Sequence, residues 1–73
     1  MKITILLKQN KHSYVIYSPD IVLDHGRMAV LAIRSNKEQA QNCLKEAVRL
    51  AKLHSNLENE YRIADIIKES LRR

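Results

Sequence analysis

Residues 35–58 read SNKEQAQNCLKEAVRLAKLHSNLE, and the segment opens and closes on the same short signature: Ser35-Asn36-Lys37-Glu38 and Ser55-Asn56-Leu57-Glu58. A serine at a helix N-cap accepts a hydrogen bond from the amide three residues on. A glutamate at that third position bonds back to the cap amide, so two otherwise orphaned donors of the first turn are satisfied together. The spacing predicts two helix starts, Ser35 with Glu38 and Ser55 with Glu58, and the first helix cannot run far past His54. The competing reading is a single long helix through Ser55, since neither Gly nor Pro interrupts the segment.

Between the two signatures the apolar positions Ala40, Cys43, Leu44, Ala47, Val48 and Ala51 repeat at helical spacing, and Gln41, Lys45, Arg49 and Lys52 fall on the opposite side. The small residues in the stripe suit close packing on a sheet. Beyond Ser55, Leu57, Tyr61, Ala64 and Leu71 share one side, while Ile63, Ile66 and Ile67 spread toward the other. A helix apolar around much of its circumference is buried on more than one side. Tyr61, Ile63, Ile66 and Ile67 are therefore candidate contacts to a second subunit; the ordinary alternative is a packed terminal helix in a compact monomer.

Upstream of Ser35 the chain is rich in Val, Ile, Thr and Tyr, with polar punctuation. Strands are expected over about 2–8, 13–18 and 28–34. Gln9-Asn10-Lys11-His12 forms a hairpin connection, Pro19-Asp20 a break, Ile21-Val22-Leu23 an extended continuation and Asp24-His25-Gly26-Arg27 a turn. The expected fold is α+β, a three-stranded antiparallel meander followed by two helices, in a single domain spanning residues 1–73. The strands alternate poorly. Met28, Val30 and Ala32 oppose Ala29, Leu31 and Ile33, and Tyr14 and Ile16 oppose Val15 and Tyr17. Apolar groups on both faces imply that both are covered, either by one helix on each face or by two helices on one face and a partner on the other.

A chain of 73 residues has a small core worth only roughly 3–5 kcal/mol, and folds of this size usually draw on a disulfide, a metal or a partner. Cys43 is alone, which rules out an internal disulfide and suits a reducing cytosol. No apolar run reaches the ~20 residues of a membrane span. The opening Met1–Leu7 lacks the length and cleavage site of a signal peptide. The expectation is a cytoplasmic protein with no membrane partner.

No catalytic set stands out: the chain has no Gly-rich phosphate loop, nucleophile elbow or HExxH motif, and no cofactor is implied. Asp20, Asp24 and His25 cluster in one loop, but their spacing matches no metal motif and they are ordinary turn residues. Cys43 lies on the apolar stripe of the first helix, where a thiol is usually inert. The net charge of +5 favours anionic partners. It is spread along the chain, +3 in residues 1–34 and +2 in residues 35–73. Lys45, Arg49 and Lys52 form a basic row that, with Lys8 and Lys11, could neutralise the phosphates of DNA or RNA. Glu38 and Glu46 interrupt that row, and Tyr14 and Tyr17 on opposite strand faces make no stacking platform.

The segment SYVIYSPDI resembles the strand and turn of the HicB-like antitoxin domain, and EQAQNCLKEAVRLA is similar to that family's helix, with Glu38, Ala40, Glu46, Ala47, Val48 and Leu50 in register. The resemblance covers residues 13–21 and 38–51. It implies a small sheet-and-helix module that dimerises and neutralises a toxin-like RNase by covering its surface. The chain departs from the family after Pro19-Asp20, where Pro-Gly and a short loop are expected, and in being basic. Together these readings point to a non-catalytic binding protein, a homodimer acting by protein contact through a sheet edge and the second helix. The alternative is a nucleic-acid-binding regulator using the basic helix face.

Overall fold

The structure, a computed structural model, describes residues 2–23 and 25–72. Three antiparallel strands, β1 (Leu6–Gln9), β2 (Tyr14–Val22) and β3 (Met28–Arg34), are followed by α1 (Lys37–Leu53) and α2 (Glu60–Leu71). The sheet order is β1-β2-β3. The expected α+β meander with two trailing helices is the observed architecture.

Strand boundaries depart from expectation around Pro19. The β1–β2 ladder runs from Gln9↔Tyr14 to Leu6↔Tyr17 and goes no further. Pro19 has no N–H to extend it. The amide of Thr4 instead donates to the Asp20 carboxylate at 2.6 Å, which pins residues 2–5 beside the sheet without a ladder. The expected break at Pro19-Asp20 is a bulge inside one long strand. β2 pairs with β3 at Ser18↔Ala29 and next at Val22↔Met28, so residues 19–21 are looped out. Ser18 and Ile21 both point inward and are fully buried.

A second bulge lies in β3. Ile16 pairs with Ala32 and Tyr17 with Val30, which leaves Leu31 as the extra residue. A bulge resets the alternation of side chains. Ala29, Leu31 and Ala32 are consequently buried on the inner face, and Met28, Val30 and Ile33 project from the other. The turn into β3 closes through Leu23 and Arg27, whose amide and carbonyl are 2.8 Å apart, and Gly26 supplies the positive φ of +76° that it requires.

Both helices start later than the serine signatures predict. Asn36 caps α1, its Oδ1 accepting from the Gln39 amide at 3.1 Å. Asn59 caps α2, its Oδ1 accepting from the amides of Tyr61 and Arg62 at 3.0 and 3.4 Å. Ser35 and Ser55 are not the caps. Reversing direction between two packed helices needs a connection of several residues. Residues 54–59 provide it, with His54 as C-cap of α1 and the Leu57 amide donating to the His54 carbonyl at 3.0 Å. A helix starting at Ser55 would leave no chain for the turn.

Both helices pack on the inner face of the sheet. The core joins Ile16 and Ile21 of β2, Ala29, Leu31 and Ala32 of β3, Ala40, Ala47, Leu50 and Ala51 of α1, and Ile63, Ala64, Ile67 and Leu71 of α2. Two cross-links fasten α2 to the sheet. The Tyr61 hydroxyl donates to the Val22 carbonyl at 2.7 Å, and Arg34 donates through a guanidinium nitrogen to the Leu71 carbonyl at 2.5 Å. The second bond supplies a partner for a carbonyl at the helix C-terminus, where intrahelical donors run out.

Candidate functional site

The outer face of the sheet has no helix over it. Cross-strand pairing sets its side chains in rows: Leu6, Tyr17 and Val30 in one, Lys8, Val15 and Ile33 in the next, and Val22 beside Met28. Directly opposed residues in antiparallel strands share a face, so these rows form one surface. Leu6 is 41% exposed, Val30 43%, Val22 46%, Met28 48% and Ile33 57%. Five apolar side chains left half-open amount to a patch on the order of 400 Å², within the ~300–600 Å² typical of the largest patch on a monomer, where function often sits.

The edges of the sheet are short or irregular. β1 is four residues long and carries Lys8. β3 is irregular at Leu31, and Arg34 donates to the Ile33 carbonyl at 2.8 Å. Lys68, Leu71 and Arg72 at the end of α2 lie beside residues 30–34 of β3. Short, bulged and charged edges resist strand addition. The outer face, rather than an edge, carries the exposed apolar side chains.

The expected contact residues on α2 fall in different environments. Ile63 and Ile67 are fully buried in the chain's own core, because the inward stripe of α2 is Ile63, Ala64, Ile67 and Leu71. Tyr61 is exposed, but its hydroxyl is occupied by Val22. Ile66 is half-buried among Arg62, Asp65, Glu69 and Ser70, which is ordinary solvated helix surface.

The basic candidates do not converge. Lys45, Arg49 and Lys52 are exposed on α1, on the helical side of the sheet, while Lys8 projects from the outer face and Lys11 lies in the β1–β2 hairpin. Arg49 is also engaged, its guanidinium donating to both Glu46 oxygens at 2.5 and 3.2 Å. That hydrogen bond holds the Glu46 carboxyl below its ordinary pKa and raises that of Arg49. Lys52 borders a groove with Lys2, Ile3, Val48, Ala51 and Ser55.

Asp20 is a structural acceptor for Thr4, His25 is exposed, and Asp24 lies outside the described residues. Among the described residues no group of three or more His, Cys, Asp and Glu side chains could hold a metal ion, and no helix is long and apolar enough to cross a membrane. Cys43 is unpaired and half-buried on α1.

No family model matches the chain, and no curated protein or solved structure matches it either.

Proposed function

We propose that this chain is a non-catalytic binding protein whose bare sheet face is covered, in use, by another polypeptide. The observation that carries the reading is the segregation of the sheet: two helices on one side, and Leu6, Val22, Met28, Val30 and Ile33 half-exposed on the other. Covering such a surface removes apolar area from water at about 25 cal/mol per Å², and patches of this size are often functional. The rows of side chains are mostly aliphatic, with Tyr17 as their one aromatic ring, which suits a protein surface better than a run of stacked bases. An antitoxin-like role, in which the covered partner is an RNase, rests on the resemblance of residues 13–21 and 38–51 and is one form of this reading.

The α1 row gives weaker support to nucleic-acid binding, since Glu46 occupies Arg49 and the remaining lysines are divided between two sides of the molecule. The two readings separate in one experiment. Tagged protein is recovered from native extract, with and without nuclease, as wild type, Ile33→Asp and Lys45→Ala/Lys52→Ala. The proposal expects a stoichiometric polypeptide that survives nuclease, is lost with Ile33→Asp and is kept by the lysine variant. Nuclease-sensitive material lost with the lysine variant would replace it with the nucleic-acid reading.

A further inference from the structure

We infer that the polypeptide covering the outer sheet face presents acidic side chains around an apolar centre, and that it is not a second copy of this chain. This rests on the reading of that face as a contact surface. Lys8 stands in the same cross-strand row as Val15 and Ile33, and Arg27 borders the face at the β2–β3 turn beside Met28 and Gly26. Among the described residues that line the groove holding Lys8, Val15, Val30 and Ile33 there is no carboxylate. A partner that buries Val15, Val30 and Ile33 also takes water from the ammonium of Lys8. A desolvated charge is costly unless an opposite charge meets it, and complementary charge around an apolar centre fixes register and speeds encounter.

A second copy seated groove to groove offers only cations and no carboxylate among the described lining residues. A two-fold interface uses the same surface on both subunits, so it brings Lys8 and Arg27 of one copy to a surface bordered by the same cations. Nucleic acid supplies the anions but not the apolar centre, and Tyr17 is the one aromatic side chain of the described rows, where a single-strand platform stacks successive bases.

The test selects from a displayed library of random 16-residue segments on immobilised wild-type protein. Ile33→Asp serves as counter-selection and Lys8→Glu/Arg27→Glu as a charge-reversed bait. Circular dichroism verifies that each variant is folded. The inference expects Ile33-dependent binders that combine apolar positions with a net acidic charge. Their affinity should fall at least tenfold on the charge-reversed bait and weaken with added salt. Ile33-dependent binders with no acidic bias, or equal binding to both baits, would overturn the acidic partner and leave the contact face standing. A dimer by light scattering that dissociates on Ile33→Asp would also overturn it, in favour of a second copy. If no binder depends on Ile33, the contact-face reading itself fails, and this inference with it.

Discussion

Val30 and Ile33 project from the same bare side of β3 although they are three positions apart, because the bulge at Leu31 resets the alternation between them. Without the bulge, two-residue periodicity would put them on opposite faces. The irregularity therefore does two things: it buries Leu31 and Ala32 together under the helices, and it leaves a continuous apolar outer face.

Ile63 and Ile66 differ sharply in what they hold together. Ile63→Ala should cost about 2–5 kcal/mol, since it opens a cavity in a fully buried site. That is comparable with the whole stability of a chain this small. Ile66→Ala, among charged neighbours, should cost under about 1 kcal/mol. Urea denaturation of both variants checks the contrast, and equal losses would place α2 in a different rotation on the sheet.

Helix starts provide a second check. Asn36→Ala and Asn59→Ala should each lose about 1 kcal/mol, as expected when an N-cap side chain is removed. Ser35→Ala should change the unfolding midpoint little. A larger loss at Ser35 than at Asn36 would restore the serine signature as the true cap.

These differences show what the sequence made legible and what it concealed. The limits of β3, the end of α1 near His54 and the meander order follow from composition, turn residues and the apolar stripe, and they stand. The caps shifted because Ser-Asn places two good capping residues side by side, and local pattern cannot choose between neighbours. For α2, the chain needed to turn from α1 decided the start at Asn59, and with it which isoleucines face inward. On the sheet, the mixed apolar pattern of Met28–Arg34 signalled two occupied faces but concealed the bulge that sorts them. Asp20 gave no signal of its role, because a carboxylate that anchors the Thr4 amide looks like any turn aspartate.

Ser18 is fully buried and its hydroxyl has no hydrogen-bond partner among the described residues. A buried hydroxyl without a partner carries its desolvation cost uncompensated. Ser18→Ala should therefore raise stability, by up to about 1 kcal/mol, and thermal or urea unfolding measures it. A clear loss would mean that the hydroxyl is bonded in solution.

The Glu46–Arg49 pair predicts a small acid dependence. Glu46 is depressed in the folded chain, chiefly by the hydrogen bond from Arg49. Its contribution is present above the ordinary glutamate range and lost as pH falls through the lowered value. Both groups are exposed, so the effect on stability is small. Carboxyl NMR titration should find Glu46 below the ordinary glutamate value, and Arg49→Ala should return it toward that value. A normal value in the wild type would show that the pair does not persist.

The claim on which the account depends is that both helices lie on one side of the sheet and leave the other bare. Methyl relaxation by a soluble paramagnetic probe tests it directly, at a concentration where light scattering shows a monomer. The account predicts strong broadening of Val30, Ile33, Met28 and Leu6 methyls, with Ile16, Ile63 and Ile67 protected. Protection of Val30 and Ile33 equal to that of Ile16 in the monomer would contradict it, because the outer face would then be covered by the chain itself.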